Sequence, residues 1–140
     1  MWESTHTRTY RGLDREAVWA LWADVDRWHE WDEDIEWARL EGPFREGAKF
    51  TLKPKGGPRV GIALTRIEPL RGYTDETRFP LATMHGIHDM EETAEGLKLT
   101  ITIRIRGPLA WLWRKIVAEG VAAEAPAQMD ALAAYARRAA

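Results

Sequence analysis

Few residues in this chain could carry chemistry at neutral pH. It has 140 residues, with four histidines, no cysteine, one serine (Ser4) and no asparagine. The lack of cysteine excludes disulfides, thiolate metal sites and cysteine nucleophiles. A lone serine at position 4 speaks against a Ser-His-Asp hydrolase, and N-glycosylation has no acceptor. What remains is His88, with Arg66 and Tyr73 as further catalytic candidates. A neutral imidazole at 88 would orient a ligand carbonyl or hydroxyl, or act as acid and base near pH 7. Arg66 would clamp a carboxylate at a cavity mouth that Tyr73 also reaches. Against these stand plain structural roles: a hydrogen-bonded core histidine at 88, and solvated strand-edge positions for the other two.

Metal and cofactor signals are weak. The acidic residues Asp24, Asp26, Glu30, Asp32, Glu33, Asp34 and Glu36 lack the order of a calcium loop and read as a solvated, helix-capping rim. His85 and His88, three apart on a strand, face opposite ways, and His29-Glu30 has no second histidine at helical spacing. No metal is expected. Gly42 to Gly47 has the spacing of a phosphate loop but not its Lys-Ser/Thr ending. Gly56-Gly57-Pro58-Arg59-Val60-Gly61 has glycines misplaced for a dinucleotide. Both are read as turns, and no cofactor is expected.

Twenty Lys and Arg against 22 Asp and Glu leave a net charge of −2, which does not suit a nucleic-acid grip. No apolar run approaches the ~18 residues of a membrane span, so no integral membrane association is expected. Met1-Trp2-Glu3 does not open a signal peptide, so the expected location is cytoplasmic. The length suits a single domain over 1–140, burying about two thirds of its unfolded surface.

The elements that must position His88 follow from periodicity. Trp2 to Arg11 reads as a strand, broken by Gly12. Asp14 caps a helix over Arg15 to Ala23, with Leu13 and Val18 as a hydrophobic staple. A very short helix after Asp26 puts Trp28 and Trp31 on one face. Strands follow over Ile35–Leu40, Ala48–Lys53, Val60–Ile67 with a bulge near Thr65 or Arg66, Tyr73–Phe79, Thr83–Glu92 and Leu97–Arg106. In the last, Leu97, Leu99, Ile101, Ile103 and Ile105 face one way. Gly107-Pro108 then opens a long helix to Arg138, with Pro108 as its first residue and a kink expected at Pro126. The fold class is α+β: seven antiparallel strands wrapped around a C-terminal helix, with two short helices between strands 1 and 2.

Seven strands span roughly 34 Å, whereas a helix is only about 10 Å wide. The sheet must therefore curl around the helix. The helix face expected against it is Ala118, Gly120, Ala122, Ala123, Ala127 and Ala131, too small to fill the trough. That geometry predicts either bulky inward side chains filling the gap or a cavity for an apolar guest. A two-residue turn at Glu95-Gly96 would set Met90 against Ile101 and His88 against Ile103. Met84, Gly86, His88 and Met90 then share the inner face. The expected ligand wall is Phe50, Leu52, Ile62, Leu64, Met84, His88, Met90, Ile101, Ile103, Trp113 and Ile116. Trp19, Trp22, Trp28, Trp31 and Trp37 form either an aromatic wall at the entrance or, for most of them, core. Of Trp111 and Trp113 only one can face the sheet; the other is exposed or buried in a homodimer contact.

Val18-Trp19-Ala20-Leu21-Trp22-Ala23-Asp24-Val25 and Trp28-His29-Glu30-Trp31-Asp32 resemble the first-helix signature of the polyketide cyclase/dehydrase branch of the START/pollen-allergen-like helix-grip superfamily (SRPBCC). The turn Gly42 to Gly47, the strand pair around His88 and Gly96, and the entry Gly107-Pro108 are also similar to that family. The resemblance covers nearly the whole chain and implies a helix-grip fold with an elongated apolar cavity between sheet and terminal helix. Members range from aromatic polyketide cyclases to lipid carriers and co-chaperones without a shared catalytic set, so it assigns no catalytic residue. The function expected is binding of a small hydrophobic or aromatic molecule, lipid- or polyketide-like. The alternative is a cyclase or dehydratase using the same cavity, and a third is an interaction module using exposed tryptophans.

Overall fold

The computed structural model describes residues 1–139. Strand β1 (Trp2–Tyr10) leads into helix α1 (Arg15–Ala23) and a 3-10 turn (Val25–Glu30). Six strands follow: β2 (Ile35–Glu41), β3 (Lys49–Pro54), β4 (Val60–Glu68), β5 (Gly72–Phe79), β6 (Ala82–Thr93) and β7 (Gly96–Arg106). The chain ends in helix α2 (Ala110–Trp113), a π-helical turn (Arg114–Ala118) and helix α3 (Glu119–Ala139). The sheet order is β1-β7-β6-β5-β4-β3-β2, antiparallel throughout. Only the step from β1 to β2 leaves the meander. It crosses from one edge of the sheet to the other, and α1 and the 3-10 turn make that crossing.

Local signals hold where they are strong. Asp14 caps α1, its carboxylate accepting from the Ala17 amide at 3.1 Å. The bulge falls between Leu64 and Arg66. Leu97, Leu99, Ile101, Ile103 and Ile105 are all buried.

The β6–β7 hairpin differs in register from the expectation. Thr93 pairs with Gly96, so Ala94-Glu95 form the turn, His88 faces Ile101 and Met90 faces Leu99. Gly96 is held in the strand by its neighbour: a side chain there would meet the Tyr10 carbonyl oxygen at 2.4 Å, and its φ is +139°. Because the slip is two residues, every side chain keeps its face. Met84, Gly86, His88 and Met90 remain inward.

The terminal helix departs further. It starts at Ala110 rather than Pro108, because Leu109 is held outside helical geometry at φ −106° and ψ 23°, with its amide docked on the Leu81 carbonyl at 3.0 Å. Helix α3 runs through Pro126 without interruption; the irregularity is the π turn upstream. A π turn rotates the phase of everything after it. The buried stripe is consequently Ala118, Ala125, Met129, Leu132, Ala133 and Ala136. Gly120, Ala123 and Ala127, expected against the sheet, are exposed, and Ala122 and Ala131 are half-buried. The helix is thus no alanine-faced rod: Met129 and Leu132 project into the trough. Polar contacts hold α3 in place. Asp130 accepts from Arg8 at 2.7 Å and Tyr10 at 2.5 Å, Tyr135 donates to Glu30, and Arg137 reaches the Arg11 carbonyl at 2.9 Å.

Candidate functional site

The site is assembled from opposite sides of the trough. On the sheet, alternation along β5 turns Tyr73, Asp75 and Thr77 inward, and pairing with β6 sets Tyr73 beside His88 and Asp75 beside Gly86. The Tyr73 and His88 rings stack with centroids 4.3 Å apart and planes within 7°. His88 Nε2 lies 3.3 Å from Asp75 Oδ2. Gly86 makes that meeting possible, because a Cβ there would sit 2.8 Å from both Asp75 carboxylate oxygens.

Facing them is an aromatic layer from the crossing segment. Trp22 lies edge-on to Tyr73 at 5.3 Å and to His88 at 6.1 Å. Trp28 is fixed by its indole N–H, which points at the Leu21 and Trp22 carbonyls at 3.1 and 3.2 Å, the free ends of α1. Its ring packs 5.3 Å from Phe50. From α3, Gln128 donates to the buried Asp32 carboxylate at 2.9 Å. Burial pushes the Tyr73 hydroxyl well above its ordinary pKa, with Asp75 and Asp32 adding to the effect. Burial likewise raises Asp32, against the lowering exerted by its bonds from Gln128 and the Asp34 amide.

Between these groups is a chamber of about 20 Å³, room for about one water molecule. Trp22, Trp28 and Trp31 line it from the crossing segment, Tyr73, His88, Leu99 and Ile101 from the sheet, and Gln128, Met129 and Leu132 from α3. The open apolar cavity expected from the sequence is therefore filled in this arrangement. Tryptophans rise from the crossing segment, while Met129 and Leu132 descend from α3. This is the first of the two outcomes that the trough geometry allowed.

The individual expectations fare unevenly. His88, Tyr73 and Ile101 line the chamber. Phe50, Leu64, Met84, Met90 and Ile103 are inward core residues, and Leu52 and Ile62 are half-buried against that core. Trp113 stacks on Phe79 at 4.6 Å and donates to the Pro80 carbonyl, away from the chamber. Ile116 is 60% exposed, turned out by the π turn. Arg66 is not at a cavity mouth. It lies on the outer face of the sheet, bonded to Thr74 and, at 2.7 Å, to Asp89. Trp22, Trp28 and Trp31 are core, whereas Trp111 is 61% exposed. Asp75 and Gln128 were not anticipated. The alternation Tyr73-x-Asp75-x-Thr77 could have flagged Asp75; nothing local marks Gln128. Among the described residues no cluster suits a metal ion, and no helix is long and apolar enough to cross a membrane.

A curved seven-stranded antiparallel sheet gripping a long C-terminal helix, with buried polar groups where the two meet, is the helix-grip class of α+β protein. Within it the chain belongs to the polyketide cyclase / dehydrase and lipid transport family, whose model matches residues 1–137. Solved structures agree on the fold. A hypothetical protein, jhp0584, from Helicobacter pylori superposes with a TM-score of 0.77 at 14% identity, over 96% of this chain and 88% of that one. Ara h 8.0201 gives 0.74 at 14% identity, over 98% of both. The di-domain ARO/CYC StfQ of the steffimycin biosynthetic pathway gives 0.78 at 14% identity, over 97% of this chain and 50% of that one. Among curated proteins, none matches the chain.

Proposed function

We propose that this chain is a single cytoplasmic binding domain over 1–140 for a flat, largely apolar small molecule, lipid- or polyketide-like. The guest occupies the space beneath α3 after that helix shifts outward from the closed arrangement described above. The observation that carries this reading is the pair Tyr73 and His88, stacked 4.3 Å apart on the chamber wall. Both side chains are buried and line the chamber, bringing polar atoms to an otherwise aromatic and aliphatic wall. A hydrogen bond from the Tyr73 hydroxyl to a guest carbonyl or phenol oxygen would contribute about 0.5–1.5 kcal/mol. Stacked His88 supplies a second polar contact, and the three tryptophans supply apolar wall.

The family membership and the likeness to ARO/CYC and allergen folds support a guest of this class. Opening must part the buried Met129, Leu132, Ala133 and Ala136 from the sheet, whereas the polar ties of α3 at Asp130 and Tyr135 are largely exposed and weak. The test is native mass spectrometry of the protein purified under gentle conditions, followed by titration with 1-anilinonaphthalene-8-sulfonate. A co-purified small molecule, or saturable one-to-one binding that quenches tryptophan emission and is blocked in a folded Leu132→Phe variant, is the expected result. No saturable binding, or binding untouched by Leu132→Phe, overturns the reading.

The contact between Asp75 and His88 favours a second reading, proton transfer on a bound guest. With Nε2–H donating to the carboxylate, Nδ1 keeps its lone pair and serves as base. His88→Gln and Asp75→Asn would then abolish turnover of a polyketide-type substrate while leaving affinity within a few-fold.

A further inference from the structure

The large apolar side chains that stand exposed gather at one end of the molecule. They are Met1, Leu81, Trp111 and Ile116, each more than half exposed. The Leu109 amide bonds the Leu81 carbonyl, bringing the β5–β6 tip against the start of the terminal helix, where Trp111 and Ile116 follow within two turns. Trp2 pairs with Ile105 at the end of β7 and lies beneath the Arg114 guanidinium at 5.2 Å, which brings Met1 to the same end. Leu81 adds an independent sign. Its φ is +59°, a left-handed conformation unfavourable for a branched L residue, and yet its side chain packs against little.

Cations rim this surface. Arg106 and Lys115 have no carboxylate partner among the described residues, while Arg78 and Arg114 stand 3.7 and 3.2 Å from Glu76 and Glu119. Arg104 is engaged by Glu3. Between the β5–β6 tip and the β7–α2 connection is an open recess of about 400 Å³, flanked by Arg78 and Arg106 with Phe79 and Pro108 beside them. Tryptophan and leucine among basic residues suit the boundary between lipid headgroups and acyl chains. A second copy of the chain fits poorly, because a two-fold contact would press this cation-rimmed face against the same face of its twin.

We propose that this end docks the protein peripherally on an anionic lipid bilayer. Leu81, Trp111 and Ile116 enter the interfacial layer, Arg106 and Lys115 meet phosphates, and the recess accepts a headgroup. The inference goes beyond the interior site and stands whether or not a guest binds there.

Co-sedimentation with phosphatidylcholine vesicles, with and without phosphatidylglycerol, tests it. The protein is expected to pellet with the anionic vesicles only, and less so as salt rises. Leu81→Asp with Trp111→Asp should lower the partition coefficient at least tenfold. Arg106→Gln with Lys115→Gln should lower it roughly 25-fold, at about fivefold per charge. Circular dichroism checks that each variant folds, and the charge pair reads the proposal if the apolar pair does not. The proposal is overturned if the protein stays in the supernatant at every anionic content. Pelleting equally well in either folded double variant, or variants that dissolve a homodimer and leave vesicle binding alone, overturns it too.

Discussion

His88 Nε2 reaches Asp75 Oδ2 at 3.3 Å across the place where residue 86 has no side chain. The Gly86 amide also donates to Asp75 Oδ1 at 3.2 Å. One glycine therefore shapes the polar centre of the sheet's inner face. Gly86→Ala is expected to swing the carboxylate away from the imidazole and cost about 1–3 kcal/mol in urea denaturation. The ring-nitrogen NMR signals of His88 should shift in the same variant. An unchanged His88 spectrum would mean that the carboxylate does not depend on this gap.

Acid should loosen the grip on α3. Arg27, then Tyr135, holds the Glu30 carboxyl down at about 2, and Tyr10, then Arg8, holds Asp130 below its usual value. A carboxylate whose folded pKa is depressed contributes fully above its unfolded value, roughly 4, and loses that contribution as pH falls through the folded one. Asp32 has the opposite sign: burial raises it, so its charged form weighs against folding at neutral pH and the burden lifts on acidification. Burial lowers His85, so the unfolded chain takes up that proton first, and the melting temperature should fall slightly from pH 7 to about 5 before dropping further between about 4 and 2. His85→Gln should flatten the upper part of the curve, and Glu30→Gln should shrink the acid drop.

Met129 is 1% exposed and closes the chamber from above. Met129→Ala should cost about 2–5 kcal/mol in urea denaturation, with the higher end expected if the cavity stays open. If it does, added indole should raise the melting temperature of the variant more than that of the parent. A loss below about 1 kcal/mol would show that α3 collapses onto the sheet instead.

At the other end of the molecule, Leu81→Asn should stabilise the protein by about 0.5–1 kcal/mol. Asparagine tolerates the left-handed backbone, and the exposed leucine side chain has little packing to lose. Guanidinium denaturation reads the difference. A destabilised variant would show that Leu81 makes a contact its exposure conceals.

What could be read from the chain alone was whatever one strand or one helical turn decides for itself. The alternation Leu97 to Ile105, the Asp14 cap and the Leu64/Arg66 bulge are local, and the order of elements with them fixed the α+β class. The inner face of β6 was legible for the same reason: a two-residue register error leaves side-chain direction intact, so His88 was correctly turned inward although its partner was misplaced. The interior was another matter. Whether Trp22, Trp28 and Trp31 would lie beneath the sheet depends on where the β1–β2 crossing runs, a contact between distant parts of the chain. Whether alanines or Met129 and Leu132 would face them depends on the phase set by a π turn, which no periodicity announces. Asp75 meets His88 only because two strands pair in one register over a glycine. Packing is three-dimensional and collective, so the filling of the trough was left to the tertiary structure.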